Sequence, residues 1–178
     1  MTFALLELAA NQDVQDRVRA ELADHEVITT DTLKNLTYLE MVIKETMRLW
    51  PAAPIIGRYI VEPLKFGART IPADSDIWLH IQALHRDGEQ WPEPDRFDPD
   101  RFTPDMARNR HPFAFVPFSG GPRNCIGQKY AMNVMKVTLA TLLKRFKVLP
   151  ITRPEDVVLG LEATLKTKEH VRLRFERA

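Results

Sequence analysis

The residues of this chain best suited to chemistry lie together in one segment, FVPFSGGPRNCIGQ, at positions 115–128. It contains Cys125, the only cysteine of the chain, and three of the seven glycines. A thiolate is stabilised at the N-terminus of a helix, where unpaired backbone N–H groups point towards it. We expect a helix to begin just after Cys125, so the pattern favours a thiolate that is presented to a ligand.

The neighbours of Cys125 indicate which ligand this could be. Gly121 lets the backbone turn tightly, and Gly127 leaves space where a flat molecule could lie on the start of the helix. Arg123 can bind a carboxylate through two parallel hydrogen bonds, and Phe118 offers an apolar cover for the sulfur. Together these features describe a thiolate facing a planar metal complex that carries carboxylates, for which heme is the obvious candidate.

Other interpretations of Cys125 stay open at this point. A lone cysteine is most often a small buried hydrophobic residue. A cysteine-dependent hydrolase with a histidine base is a further possibility, although no local signature supports it. A zinc site is not expected, because the five histidines show no paired ligand spacing. One cysteine cannot form an internal disulfide, which fits a reducing compartment.

The segment resembles the heme-binding loop of the cytochromes P450, F-x-x-G-x-R-x-C-x-G, at all five fixed positions: Phe118, Gly121, Arg123, Cys125 and Gly127. The resemblance implies heme b as the cofactor, with Cys125 as the axial thiolate ligand of the iron and Arg123 as a ligand of a propionate. It also implies a monooxygenase that inserts one atom of O2 into an apolar substrate. Electrons would come from NADPH through a cytochrome reductase, with cytochrome b5 as a second candidate donor.

A second motif lies in KETMR, where Glu45 and Arg48 share one face of a helix. Taken alone, such a pair is a common surface ion pair that contributes little. It resembles the E-x-x-R motif of the family, whose two residues form a buried network with an arginine from a later loop. Arg101, in FDPDRF, stands in the corresponding place. The resemblance implies that these three residues hold the proline-rich middle of the chain against the core.

The resemblance also assigns residues at the margin of the heme site. Arg58 resembles a strand arginine that binds a heme propionate, although it could equally be an exposed strand residue. His85 follows the family pattern as a residue that shapes the loop. Substrate-lining positions, which could instead be core, are implied at Pro54, Ile55, Ile56 and Leu161. The family docks an acidic electron donor on its thiolate side, near Lys129, Lys136, Lys144 and Arg145, although a charge run is more often a solvated face.

The resemblance covers essentially all 178 residues and corresponds to about the last third of a full-length member. The expected fold is therefore mainly α with small antiparallel β-sheets, the C-terminal third of the cytochrome P450 fold, with residues 1–178 as a single partial domain. The sequence is especially similar to the microsomal branch that contains fatty-acid ω-hydroxylases and many insect enzymes. We expect the family's distal acid–alcohol pair to precede Met1, so that no catalytic residue is retained.

Two hypotheses about function follow. The parent protein would be a monooxygenase at the cytosolic face of the endoplasmic reticulum, held there by an N-terminal anchor. The alternative is a truncated, inactive fragment that binds heme or other chains. This chain shows no targeting signal and no apolar run of the ~18 residues needed to cross a bilayer. Its 25 basic and 24 acidic residues nearly cancel, which argues against nucleic acid as a partner.

The hydrophobic periodicity predicts the elements that must position these residues. A helix on the face of Phe3 to Leu22 is expected to restart at Asn11. A second helix is expected from about Asp31 to Leu49, and a third from the cysteine to near Phe146, with Ala131, Val134, Met135, Thr138 and Leu142 as its stripe. Short strands are expected at 57–62, 64–67 and 76–81, an irregular stretch at 85–116, and a final hairpin that pairs the run 159–165 with the run 171–175.

Overall fold

The computed structural model describes residues 1–162 and 164–177. Its helices are α1 (Thr2–Ala10), α2 (Gln12–Ala23), α3 (Thr30–Asn35), α4 (Thr37–Leu49), α5 (Ile81–Leu84), α6 (Pro104–Ala107) and α7 (Gln128–Arg145). Short 3₁₀ turns lie at Pro99–Phe102, Pro112–Ala114, Gly121–Arg123 and Pro154–Asp156. In the described part of the chain, no helix is both long and apolar enough to span a bilayer.

The strands are β1 (Ile55–Ile60), β2 (Leu64–Phe66), β3 (Arg69–Ile71), β4 (Ser75–His80), β5 (Phe146–Pro150), β6 (Leu159–Leu161), β7 (Leu165–Thr167) and β8 (Leu173–Arg177). They form antiparallel two-stranded sheets with the pairings β1–β4, β2–β3, β5–β8 and β6–β7. The expectation of a mainly α fold with small antiparallel sheets is confirmed. The irregular stretch before the cysteine is also found, since it contains only short helical turns.

The core lies between the long helices, because each of them has an apolar face and these faces meet. Its fully buried members include Leu8 of α1, Val18 of α2, Leu39 of α4, Leu139 of α7 and Val148 of β5. Burying such a side chain contributes roughly 1.5–3 kcal/mol. The helices thereby form a rigid block on which the less regular segments rest.

The break between α1 and α2 falls at Asn11, as predicted, but its side chain serves the helix before it. The Asn11 backbone N–H and the side-chain Nδ2 both donate to the Glu7 carbonyl, each at 2.9 Å. These bonds satisfy a carbonyl at the end of α1 that has no partner within its own helix. Just after the break, the buried Gln15 accepts from the Val148 N–H and donates to the Val148 carbonyl, both at 2.8 Å, which fastens β5 to this corner.

The prediction of one helix from Asp31 to Leu49 is wrong, because the helix stops and restarts at Leu36. Leu36 has non-helical backbone angles and is fully buried. The carboxylate of Glu21 in α2 accepts from the backbone N–H groups of Tyr38 and Leu39, at 2.7 and 2.9 Å. A carboxylate from another helix therefore caps α4, and the chain can change direction without leaving these donors unsatisfied.

The predicted final hairpin is also wrong. The alternating run from Leu159 forms a hairpin within itself, β6 with β7, whereas β8 pairs with β5 at the end of α7. Residue 163, placed in the run by the alternation, lies outside the described residues. Alternation indicates which side chains share a face of a strand, but it does not determine the partner strand.

The apolar stripe predicted for α7 is not the side of the helix that packs most deeply into the core. The buried residues are Lys136, Leu139, Ala140 and Leu143, whereas Val134 is 41% exposed. Ala131 and Met135, from the predicted stripe, line a cavity beside Cys125 instead. Because α7 is apolar on two sides, its periodicity alone could not select the side that packs on the core.

Arg48 is fully buried, and each of the five N–H groups of its guanidinium has an acceptor. Nε and Nη2 donate to the two carboxylate oxygens of Glu45, at 2.7 and 2.8 Å. The other donors reach the backbone carbonyls of His85, Pro94 and Arg96, at 2.9, 2.6 and 3.1 Å. One side chain of α4 thus fixes three points of the irregular stretch.

Glu45 and Arg101 complete this network. Glu45 Oε1 accepts from the backbone N–H of Asp98 at 2.9 Å and lies 3.4 Å from Arg101 Nε. The latter contact is an ion pair rather than a hydrogen bond, because Arg101 Nε has no hydrogen-bond partner. Arg101 Nη2 instead donates to the Glu93 carbonyl at 2.8 Å. The structure therefore brings Glu45, Arg48 and Arg101 together around the proline-rich segment.

His85 connects this segment to the cysteine loop. Its side chain is fully buried, its ring lies 5.2 Å from that of Phe115, and its Nε2 accepts from the backbone N–H of Val116 at 3.0 Å. Burial lowers the pKa of His85 to about 4. The imidazole is therefore neutral at physiological pH, as its role as an acceptor requires.

Glu7 is a second buried titratable residue, in α1. Its Oε1 accepts from the indole Nε1 of Trp50 at 2.7 Å. Burial raises the pKa of the Glu7 carboxyl to about 7, while the bond from Trp50 acts in the opposite direction. The same physical cause, loss of water around the charged form, therefore raises the pKa of Glu7 and lowers the pKa of His85.

Replacing Arg48 with methionine should destabilise the fold by about 3–5 kcal/mol, because the buried Glu45 carboxylate would lose both of its hydrogen bonds from Arg48 and, of its ion pairs, would keep only the 3.4 Å one with Arg101. The measurement is urea unfolding at neutral pH. Lys34→Met is the matched control, since Lys34 forms an exposed i,i+3 pair with Asp31 and should change stability by less than ~1 kcal/mol. Equal losses in the two variants would contradict the assigned role of Arg48.

The pH dependence of stability should separate Glu7 from His85. Between about pH 4 and about pH 6.5, His85 is protonated in the unfolded chain but neutral in the folded chain. His85 therefore makes stability rise with pH over this range. Between about 4.5 and about 7, only the folded chain holds the Glu7 proton, so Glu7 makes stability fall as pH rises. The two effects oppose each other over the shared range.

Glu7→Gln should therefore reveal a stability that increases with pH over this range, by on the order of 3 kcal/mol. His85→Gln should reveal the opposite slope. His170→Gln, at an exposed site, serves as the control and should keep the shallow profile of the unmodified chain. Urea unfolding at a series of pH values measures all of these, and identical slopes in the two buried-site variants would refute the assignment.

Candidate functional site

The cysteine loop is a compact turn that its own backbone holds closed. The N–H of Cys125 donates to the carbonyl of Phe118 at 2.9 Å. Between them, Ser119 and Gly121 have φ angles of 64° and 71°, in the left-handed region. This region favours glycine, so Gly121 is needed at its position, whereas Ser119 carries a strained backbone.

The sulfur of Cys125 lies at the surface of the loop, next to the start of α7. Cys125 is exposed, so its interpretation as a small buried hydrophobic residue is wrong. Gly127, the residue before α7, has a φ of −86°, which any residue can adopt. A Cβ atom there would lie 3.8 Å from the Cys125 sulfur. The absence of a side chain at Gly127 thus keeps space beside the sulfur rather than permitting an unusual backbone.

The Cys125 thiol borders a cavity of about 840 Å³. This volume is within the range of small-molecule and cofactor sites. Most of the lining is apolar and comes from distant parts of the chain, including Phe3 and Ala4 of α1, Ile43 and Met47 of α4, Ala131 and Met135 of α7, and Leu165 of β7. The helices, the strands and the loop therefore each supply part of the wall of this open cavity.

Two guanidinium groups share the cavity with the thiol. Arg58 and Ile56 point the same way because they are two residues apart on β1, and both line the cavity. Arg58 Nη2 donates to the hydroxyl of Ser119 at 2.8 Å, which ties the strand to the cysteine loop. Arg123 is exposed and lines the same cavity. The sequence-predicted set Cys125, Arg123, Arg58 and Phe118 is thus brought to one place.

The predicted substrate-lining residues are only partly found at the cavity. Ile56 lines it, whereas Pro54 is buried and Ile55 is half-buried, and neither contributes to the wall. Ala52 and Ala53 form that part of the wall instead. The side chain of Leu161 lies outside the described residues.

Leu165, Trp50 and Phe3 are wall residues that sequence reasoning missed. The N–H of Leu165 donates to the Ala52 carbonyl at 2.8 Å, which brings the last hairpin to the cavity. The rings of Phe3 and Trp50 stack in parallel, with centroids 4.8 Å apart and 1° between their planes. The sequence signal for this wall was Trp50, which stands next to the proline that ends the helix. Its stacking partner Phe3 lies far away in the sequence, so the pair could not be predicted.

The predicted basic docking surface needs correction. Lys136 is buried, and its Nζ binds Glu40 at 2.6 Å and the Leu33 carbonyl at 2.8 Å. Lys144 donates to the carbonyls of His25 and Glu26. The two lysines thus donate to carbonyl and carboxylate groups within the helical block. Lys129 and Arg145 are the exposed cations of the predicted set.

The far side of the cysteine loop borders a separate groove of about 480 Å³. Phe118, Lys129 and Met132 are among its lining residues. Phe118 contributes to both this groove and the cavity that holds the thiol. The segment 116–119 of the loop therefore borders both the groove and the cavity.

The residues at the cavity fit a heme group by their chemistry. A thiolate is an established axial ligand of heme iron, and guanidinium groups bind carboxylates such as propionates. The left-handed Gly121 and the space at Gly127 let the backbone approach a flat ligand closely. Apolar walls suit the porphyrin faces and an apolar substrate alike.

Comparisons with known proteins support the same interpretation. The family model described as Cytochrome P450 matches residues 1–174. The protein named Probable cytochrome P450 4ac3, from Drosophila melanogaster, is 43% identical over 180 residues, covering 99% of this chain and 35% of its own length. Cytochrome P450 4B1 from Homo sapiens is 46% identical over 151 residues, covering 81% of this chain and 30% of the human protein.

The chain therefore spans about a third of the length of the curated relatives it matches. The resemblance to the cytochromes P450, stated from the heme loop and the E-x-x-R motif, is confirmed, and the relatives include insect and mammalian proteins. The helix-rich architecture with small antiparallel sheets agrees with a partial fold of this kind. The chain belongs to the cytochrome P450 family.

Proposed function

We propose that this chain is the heme-binding portion of a cytochrome P450 monooxygenase, with residues 1–178 as one partial domain of a longer protein. The observation that carries the proposal is that the exposed thiol of Cys125 shares one apolar cavity with Arg58 and Arg123. Heme b bound there would supply the redox chemistry that inserts one oxygen atom of O2 into an apolar substrate.

The side chains of the loop would have distinct roles. Cys125 would hold the iron as a thiolate, favoured by the positive end of α7 three residues further along the chain. Arg58 and Arg123 would bind the propionates, and Gly127 would leave the porphyrin room beside the sulfur. The Phe118–Cys125 backbone bond and the left-handed Gly121 keep the thiol in place before any ligand arrives.

The walls of the cavity would hold and orient the substrate. Ile56, Phe3, Trp50 and Leu165 are apolar or aromatic and would exclude water from the reacting region. Such a lining suits a fatty-acid-like molecule or an apolar xenobiotic. Pro54 and Ile55 lie between the wall residues Ala53 and Ile56 in sequence, and Leu161 pairs with Leu165 in the β6–β7 hairpin, so these three stay predicted substrate neighbours.

The groove on the far side of the loop is the proposed approach for electrons. NADPH–cytochrome reductase, or cytochrome b5, would bind near Phe118 and Lys129, where the loop borders both the groove and the cavity. Lys129 offers an exposed cation for an acidic partner. By its resemblance to microsomal members, we place the longer protein at the cytosolic face of the endoplasmic reticulum membrane, with membrane contact through an N-terminal segment.

A second candidate function is a heme-binding or interaction fragment without turnover. Large apolar side chains are exposed on this chain, among them Ile126, Tyr130 and Trp78, which are more than 70% accessible. Exposed apolar surface of this kind indicates missing partners or a tendency to associate. Fatty-acid oxidation by the isolated chain with reductase and NADPH, at the rate of a full-length relative and lost in Cys125→Ala, would exclude this candidate.

The hemin-reconstituted chain, once reduced and exposed to CO, should show the strongly red-shifted Soret band of a thiolate-ligated heme. Cys125→Ser should lose this band, because a hydroxyl does not supply the electron-rich axial ligand. Absorption spectroscopy of the two proteins side by side is the measurement. An identical Soret band in both would refute Cys125 as the iron ligand.

Arg123→Gln and Arg58→Gln should each weaken hemin binding by about tenfold, since each removes one charge-assisted bond to a propionate. Neither variant should weaken binding of hemin dimethyl ester, whose carboxylates are blocked. Arg69→Gln, on the exposed strand β3, is the matched control for loss of a cation. Equal weakening for hemin and its ester would show that the arginines act on folding and not on propionates.

A further inference from the structure

Behind the wall of the cavity lies a buried carboxyl, that of Glu7, whose position the heme site does not explain. The indole of Trp50 and the ring of Phe3 form a stacked pair that lines the cavity. Behind this pair, the Glu7 carboxyl accepts the indole N–H at 2.7 Å. Glu7 is only 4% exposed, so a carboxyl has been placed in the interior with the tryptophan as its principal donor.

The surroundings of Glu7 make its charge state variable. Asn11 Nδ2 donates weakly to its other oxygen at 3.3 Å. The charged groups that act on it, Glu45 and Arg48, both belong to α4 and have opposite signs: Glu45 raises the pKa of Glu7 and Arg48 lowers it. Burial is the largest effect and brings the pKa to about 7. Both protonation states are therefore populated near neutral pH.

We propose that Glu7 is a positioning residue for the substrate side of the cavity: its carboxyl holds the Trp50 indole in the wall, and its protonation state sets how firmly that wall is held. An ionised carboxylate accepts a charge-assisted hydrogen bond, which is about twice as strong as a neutral one. Above neutral pH the indole is fixed against Phe3 and the cavity is preorganised for an apolar guest. Below neutral pH the bond weakens and the stacked pair loosens.

This inference rests on the proposed function in that the cavity is taken to be the substrate's side of the heme. It names a residue that does not itself line the cavity and that acts only through Trp50. Glu7, Phe3 and Trp50 lie on α1 and at the end of α4, so their arrangement does not require Cys125 to bind anything. Its test can therefore be kept separate from the test of heme ligation.

The first measurement is near-ultraviolet circular dichroism of the 178-residue chain between about pH 5.5 and about pH 8.5, a range that brackets the titration of Glu7. A tryptophan band should change in a single step near neutral pH. The step should be absent in Glu7→Gln and in Trp50→Phe. It should persist in Trp78→Phe, the matched control, since Trp78 is exposed on β4. A step that survives in Glu7→Gln would overturn the proposal.

The second measurement is the affinity for 1-octanol, a neutral apolar probe, by isothermal titration calorimetry over the same range, with and without hemin. Affinity should rise about threefold to tenfold as pH increases through neutrality. Glu7→Gln keeps an acceptor for the indole and should bind with intermediate, pH-independent affinity. Glu7→Leu removes the acceptor and should bind weakly at every pH.

The outcomes distinguish the two proposals. Cys125→Ser should keep the pH-dependent step in octanol affinity even though it loses the thiolate spectrum, so failure of heme ligation leaves this test intact. A flat octanol profile in the unmodified chain, or equal affinities for Glu7→Gln and Glu7→Leu, would overturn the role of Glu7. The proposal that Cys125 binds heme would be unaffected by that result.

Discussion

A guanidinium removed from water must find an acceptor for each of its five N–H groups, and Arg48 meets this demand with groups from two regions of the chain. Glu45, one turn away on α4, supplies two acceptors, and the backbone of residues 85–96 supplies the other three. A segment with little regular secondary structure is thereby fixed to α4. His85 then continues the connection from this segment to Val116, at the start of the cysteine loop. The position of the thiol therefore depends on a buried charge two elements away.

The cysteine loop itself depends on few contacts, and these are mostly between its own backbone atoms. The bond from the Cys125 N–H to the Phe118 carbonyl and the left-handed Gly121 are both local to the loop. One contact differs in kind: the bond from Arg58 to the Ser119 hydroxyl joins the loop to β1. The same arginine thus has two functions, fixing the loop and presenting a cation to the cavity.

Patterns that are complete within a short stretch of sequence could be interpreted before the structure was known. The heme loop and the Glu45–Arg48 pair are of this kind, as is the helix break at Asn11. What could not be predicted depends on groups far apart in the chain. The break at Leu36 exists because Glu21 caps the following helix. Lys136, which sequence alone places on the surface, is buried because Glu40 and the Leu33 carbonyl meet it there. Neither partner has a fixed spacing that a motif could express.

The same division applies to the site and has a consequence for specificity. The groups suited to hold heme, Cys125 and Arg123, lie within three residues of each other, so they can be kept together by one loop in every member that shares it. The walls of the cavity come from α1, α4, β1 and β7, elements that packing alone brings together. Residues such as Phe3, Trp50 and Leu165 can therefore change without disturbing the thiol. Under the proposed function, the choice of substrate would therefore be encoded in these walls, and in the buried groups that hold them, rather than in the loop.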